Sequence, residues 1–240
     1  MNDPRQLGSL FIYEEHGSQL LSDDITRIIK SVDSLWLYQE GGPHAKLTSG
    51  ACSDGFVNLR NVICHTNFCN IFAEALARKL RECYSGPVEF VVGSDTASLN
   101  LAYAFACFFN AQTYPMHKVV IEENGQKVEK QVYTGPKMPP GTKVLQVEEL
   151  MTTAKTFRLV RQGFSEACPG VDFIPFLPLI VDRRTEEEFL NSTVDGVTLL
   201  SLVQYKIRTW TNDCPLCNAG SEAVRPNTPE GWAKLTGKNK

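Results

Sequence analysis

The most chemically pointed feature of the sequence is a pair of adjacent carboxylates followed by a hydroxyl-rich turn. In Val144-Leu145-Gln146-Val147-Glu148-Glu149-Leu150-Met151-Thr152-Thr153-Ala154-Lys155-Thr156-Phe157, an apolar run ends in Glu148 and Glu149. Thr152, Thr153, Ala154, Lys155 and Thr156 then open a helical pattern. Backbone N–H groups at a helix start, with threonine hydroxyls beside them, bind a phosphate. Adjacent carboxylates at a strand end accept hydrogen bonds from a vicinal diol. Together they suit a ribose 5-phosphate; the plain alternative for the same spacing is a polar strand-to-helix turn without a ligand.

The elements around this segment alternate. Ser22-Asp23-Asp24 starts a helix, with Ile25, Ile28, Ile29, Val32 and Leu35 at helical spacing. A loop-like run from Leu47 to Gly55 leads to a short strand, 56–58. A helix is predicted over 67–83, a buried strand over 88–92 and a second helix over 98–109. Two strands between 112 and 132 flank Glu123-Asn124-Gly125, since Asn-Gly is a strong hairpin turn. A strand at 144–148 and a helix from about 155 to 167 follow. Residues 171–182 read as a last core strand, although Pro175 and Pro178 sit awkwardly in it. Strands alternating with helices imply an α/β fold, a parallel sheet flanked by helices. Ligands in such folds bind beyond the carboxyl ends of the strands, here after Val92, after Val147 and around Asp182.

Composition narrows the function. The chain has 240 residues, 42% hydrophobic and 21% charged, with a net charge of -3. That balance fits one folded domain of ordinary size and offers no basic surface for nucleic acid. The start, Met1-Asn2-Asp3-Pro4-Arg5, lacks a signal-peptide pattern, and the apolar run 99–109 is too short to span a bilayer. A soluble, cytoplasmic protein with no membrane partner is expected. The eight cysteines are irregularly spaced, so no disulfide framework is expected; Cys83 and Cys107 read as buried small hydrophobes. Cys214-Pro215-Leu216-Cys217 is half a Zn²⁺ site, for which Cys64-His65 and Cys69 would be the further ligands if the fold or a dimer brought them close. His16, His44 and His65 have no partner pattern and read as surface or loop residues. The tail after Gly220 carries no motif and is expected to be poorly ordered.

The segment 144–157 resembles the phosphoribosyl-pyrophosphate (PRPP) signature of the type I phosphoribosyltransferases. The resemblance implies that Glu148 and Glu149 hold the ribose 2- and 3-hydroxyls and that Thr152 to Thr156 hold the 5-phosphate. The chain departs from the family in having Glu149 for the usual Asp, and Ala154-Lys155 for the usual Gly-Gly, which would allow φ > 0 and close backbone approach. Leu47 to Asn58 is similar to the loop that sets the orotate enzymes apart from the purine enzymes, which implies base-binding roles for Ser49, Gly50 and Phe56. Phe90 to Ala102 resembles the family's pyrophosphate strand and turn, implying that role for Ser94, Asp95 and Thr96. In place of the family's Gly-rich turn it carries an added carboxylate, Asp95, which would need Mg²⁺ beside pyrophosphate. Thr113 to Lys118 matches the strand ending in a basic residue, Lys118, and the hairpin 119–133, with Lys127 and Lys130, matches the mobile loop that covers the site. A Cys-Pro-x-Cys tail closes some chains of the orotate type.

The resemblance runs from about Leu20 to Cys217 and implies a hood and base-binding loop at 1–60, a phosphoribosyltransferase-like core at 61–205 and a tail with the Cys-x-x-Cys at 206–240. It implies transfer of the 5-phosphoribosyl group from PRPP to a pyrimidine base, orotate foremost, with Mg²⁺, in a homodimer and in pyrimidine nucleotide biosynthesis. Glu148, Glu149 and Lys118 are the expected catalytic groups. Two other readings stand beside it: a chain of this family that has lost turnover and binds nucleotides as a regulatory module, and a small zinc-stabilised interaction protein.

Overall fold

The computed structural model describes residues 20–96, 98–184 and 191–238. Ile25, Ile28 and Ile29 are buried on one face of α1 (Ser22–Ser31), with Asp23 and Asp24 in the first turn and Lys30 in the last, as the helix dipole favours. Leu35 lies outside that helix and opens β1 (Leu35–Leu37). β2 (His44–Lys46) comes next, and the run 47–55, expected to be one loop, holds β3 (Cys52–Ser53) and the start of β4 (Gly55–Val57). Then come α2 (Arg60–Ile63), α3 (Thr66–Arg81), β5 (Phe90–Gly93), α4 (Leu99–Cys107) and β6 (Gln112–Thr113). The hairpin β7 (Met116–Glu123) and β8 (Gln126–Tyr133) precedes β9 (Lys143–Met151), α5 (Lys155–Ala167), β10 (Asp172–Phe173), β11 (Phe176–Asp182), β12 (Thr193–Val194) and β13 (Val197–Gln204). β14 (Thr209–Trp210), α6 (Pro215–Asn218), β15 (Ala223–Val224) and α7 (Pro229–Thr236) close the chain.

The central sheet runs β12-β13-β11-β9-β5-β6, parallel except for the β12 edge. Its strands are apolar on both sides because both faces are covered. Val91, Leu145, Val147 and Ile180 join the cluster under α3 and α4, whereas Phe90, Val92 and Val144 pack with Val160 and Phe164 of α5. The 171–182 region is not the last core strand, since β13 pairs with β11 beyond it. Pro178 is tolerated inside β11 because pairing with β9 begins only at Leu179. Cys83 and Cys107, expected in the core, are exposed, because each lies at or beyond the end of its helix's buried face.

A second sheet, β14-β3-β2-β15, joins the two ends of the chain: two strands come from the N-terminal section and two from the tail. The tail is ordered rather than loose. The Trp36 indole N–H donates to the Leu235 carbonyl at 2.8 Å, and Trp232 meets Phe56 edge-on. Around these contacts Ala45, Val224 and Leu235 form a small core of their own, which is what holds the tail in place.

Candidate active site

The carboxyl ends of β5, β9, β11 and β13 lie side by side; Glu148 and Glu149 stand near the end of β9, Ser94, Asp95 and Thr96 on the turn after β5, and Thr152 to Thr156 on the passage from β9 into α5. At the end of β9 the two carboxylates differ. Glu148 is 2% exposed and its oxygens are taken up inside the protein: Gln146 Nε2 donates to Oε1 at 2.7 Å, and the Ser94 and Ser98 hydroxyls donate to Oε2 at 2.9 Å each. Glu149 is half-buried; its carboxylate also meets the Ser98 hydroxyl, and its own N–H donates to that oxygen at 3.3 Å. Ser98 has a single proton for two carboxylates, so a proton retained on Glu148 satisfies the cluster. Burial, then the neighbouring Glu149, pushes the Glu148 carboxyl up to about 8; burial raises that of Glu149 as well.

The turn after β9 reaches α5 through Ala154, whose φ is +58°. This is a left-handed conformation that alanine adopts only at a cost. The glycine-like demand therefore falls on Ala154; Lys155 is not at positive φ. Thr152 to Thr156 and Glu148 line a small hollow of about 40 Å³ at the start of α5, where first-turn N–H groups lack intrahelical partners.

The turn after β5 is tied to the hairpin. Asp95 accepts the Lys118 backbone N–H at 2.8 Å and the Thr96 hydroxyl at 3.0 Å, and its own N–H donates to Gln131 Oε1 at 3.2 Å. Lys118 and Lys155 both pair with Glu129 on β8, and these two cations, Lys118 first, hold its carboxyl down at about 2. Lys130 pairs with Glu123, and Lys127 is exposed. Arg60, Asp95, Lys118, Lys130, Glu149 and Thr156 share a pocket of about 120 Å³. The hairpin lies close on α5: a side chain at Gly163 would come within 1.7 Å of the Gln131 carbonyl oxygen.

A larger cleft, about 800 Å³, is lined by Thr152 and Thr153, by Ser49, and by the cations Arg183, Arg184, Lys206 and Arg208. These cations follow β11 and β13 and were not singled out from the sequence; basic residues just after a core strand are the only local signal. Arg184 is spent on a buried ion pair with Asp182, 3.0 Å apart. Arg208 pairs with Asp54 at 2.7 Å and lies over Trp210. The buried Nε of Arg183 finds no hydrogen-bond partner among the described residues. Gly50, at φ +89°, makes the turn that presents Ser49, whereas Phe56 packs toward Trp232 and the tail. Cys214 and Cys217 meet His44 and Cys52, not Cys64, His65 or Cys69. His44, read as an ordinary surface or loop residue, is fully buried, because β2 is a middle strand of the second sheet. His65 lies against Phe68, and His16 is outside the described residues.

No family model matches the chain. Curated relatives do. An orotate phosphoribosyltransferase of Caldanaerobacter subterraneus subsp. tengcongensis is 26% identical over 208 residues, 84% of this chain and 96% of the relative. One of Desulforamulus reducens is 26% identical over 190 residues, covering 77% and 88%. Among solved structures, the orotate phosphoribosyltransferase of Aeropyrum pernix superposes with a TM-score of 0.54 at 17% identity, covering 75% of this chain and 93% of that one. The Leishmania donovani UMP synthase gives 0.53 at 16% identity over 90% of this chain and 42% of that longer one. The chain is thus similar in sequence to the orotate phosphoribosyltransferases and shares their fold.

Proposed function

We propose that this chain transfers the 5-phosphoribosyl group of PRPP to a ring nitrogen of orotate, releasing pyrophosphate. The observation that carries the reading is that one cleft of about 800 Å³ is lined by Thr152, Thr153, Ser49, Arg183, Lys206 and Arg208. A phosphate held at the start of α5 puts the sugar in that cleft. The cations beside Ser49 complement a planar base that carries a carboxylate, which a purine lacks. Breaking the glycosidic bond develops positive charge on the sugar, and the Glu149 carboxylate stabilises it by position and field. Lys118, released from Glu129, neutralises the departing pyrophosphate. Asp95 and Glu149 line one pocket and offer the oxygen donors Mg²⁺ takes beside substrate phosphates, so they would hold that ion, which lowers the charge on the leaving group.

The buried Glu148 and the left-handed Ala154 favour a second reading, in which the ligand binds but turnover is slow. Orotate consumption with PRPP and Mg²⁺, run beside calorimetry with orotidine 5-monophosphate, separates the two. Consumption supports transfer, and binding without consumption supports the second reading. A folded protein that neither binds at millimolar ligand nor turns over overturns both. The same reading makes the hairpin a cover shared between subunits of a homodimer; sedimentation at twice the 26.8 kDa chain mass is the expected result, and a monomer would count against it.

A further inference from the structure

Outside the cleft, four ligand-type side chains converge in the second sheet. His44 on β2, Cys52 on β3, and Cys214 and Cys217 on the connection between β14 and β15 each bring one ligand atom within 4.8 Å of the others. Cys217 Sγ lies 3.3 Å and Cys214 Sγ 3.8 Å from His44 Nε2, and Cys52 Sγ lies 3.7 Å from Cys217 Sγ. A tetrahedral zinc ion, with Zn–S of about 2.3 Å and Zn–N of about 2.0 Å, spaces its sulfurs about 3.8 Å apart and sulfur from nitrogen about 3.5 Å. These three separations match that spacing to within about 0.3 Å, and all four atoms lie within 4.8 Å of one another.

The orientation of the imidazole is a second, independent observation. His44 is fully buried, and its Nδ1 lies 2.9 Å from Ser221 Oγ. The Ser221 hydroxyl gives its own proton to the Gly42 carbonyl at 2.8 Å. Ser221 must therefore accept from Nδ1, which makes Nδ1 the protonated nitrogen and leaves the lone pair on Nε2, aimed at the sulfurs. An outer hydrogen bond that fixes the tautomer in this way is how a metal-ligating histidine is held. Buried cysteines acting as small hydrophobes would explain the thiols but not a buried imidazole lone pair facing three of them.

We propose that His44, Cys52, Cys214 and Cys217 bind one structural Zn²⁺ through Nε2 and three thiolates. Four protein ligands close the shell and leave no position for a reacting water, so the ion is structural rather than catalytic. Three thiolates exceed the charge of the ion by one, and Lys46 Nζ, 3.8 Å from Cys52 Sγ, lies where it offsets the excess. The site also bears on the cleft. His44 and Cys52 stand on the two strands that carry the turn presenting Ser49, and Cys214 follows the strand that carries Trp210. One ion would clamp both lining segments; this consequence rests on the proposed reading of the cleft, whereas the metal site does not.

The test uses the full chain, free of any affinity tag and purified under reducing conditions without chelator. Metal analysis is expected to return one zinc per chain. Replacement by Co²⁺ should give thiolate-to-cobalt charge-transfer absorption and the intense visible bands of a tetrahedral site. Removing the metal with a strong chelator should lower the melting temperature, and zinc should restore it. Cys217→Ser, at the most exposed ligand, should weaken or abolish the cobalt charge transfer, whereas Cys64→Ser should leave it intact. A folded wild-type protein that takes up neither zinc nor cobalt overturns the proposal, as does a disulfide between Cys214 and Cys217 in the freshly purified protein. Full cobalt absorption in Cys217→Ser would overturn the ligand set. Metal content does not depend on PRPP or orotate, so failure here and failure of the transferase reading are told apart.

Discussion

Lys155 Nζ stands 2.7 Å from Glu129 Oε2, which ties the first residue of α5 to the middle of the β8 strand. Glu129 also takes Lys118, so one carboxylate occupies two of the lysines that the resemblance places at the site.

An incoming phosphate must compete with Glu129 for these cations. Glu129→Gln should therefore tighten PRPP binding severalfold at low salt, with the gain shrinking as salt is added. Folding stability should change by no more than about 1 kcal/mol, the usual range for exposed pairs. Calorimetry at two salt concentrations is the measurement. Weaker binding would mean instead that Glu129 positions the lysines.

Ala154→Gly should stabilise the protein slightly. A left-handed alanine costs about 1–2 kcal/mol, while its largely buried methyl returns about 0.8 kcal/mol, so relief of strain wins by a few tenths to about 1 kcal/mol. Lys155→Gly relieves nothing and should destabilise by about 1 kcal/mol through helix propensity. Urea denaturation of the two variants should show opposite shifts of midpoint. A shift in the same direction would remove the strain argument.

Glu148 makes stability fall with rising pH. Its folded-state carboxyl titrates at about 8, against 4.5 when unperturbed. Between those values the folded protein holds a proton that the unfolded chain has released. The contribution is complete below about pH 4.5 and is lost as pH climbs through about 8. Glu148→Gln, uncharged throughout, should flatten that part of the melting-temperature profile and lower turnover about ten- to a hundredfold if the carboxylate acts on the sugar in the transition state. Identical profiles for wild type and variant would show that Glu148 ionises freely.

Arg183→Gln should weaken orotidine 5-monophosphate binding about ten- to a hundredfold, the effect of losing a charge-assisted hydrogen bond worth roughly 1.5–3 kcal/mol. The motive is its buried Nε, which has no partner among the described residues, on the wall of the cleft. An unchanged dissociation constant would move the anion site elsewhere.

Periodicity made α1, α3, α4 and α5 legible, as well as the buried strands β5 and β9, because each is specified by neighbours in sequence that must share one face. The hairpin at Asn124-Gly125 was legible from its turn chemistry, and the acid pair and threonine turn stood out as residue types at a strand end and a helix start. β13 was not: its buried residues, Val197, Leu200 and Val203, recur every third position, a spacing that matches neither a half-buried strand nor a fully buried one. Nor did sequence reveal that Glu148 turns inward while Glu149 lines the pocket, that within the 152–156 turn it is Ala154 that takes a left-handed conformation, or that Arg183 and Ser49 line one cleft. His44 and Cys217 are 173 residues apart and meet only because two strands from each end of the chain pair into one sheet. Local patterns follow from the side chains adjacent to each residue. Which distant residues share a site is decided by how whole faces pack, and only the tertiary structure carries that.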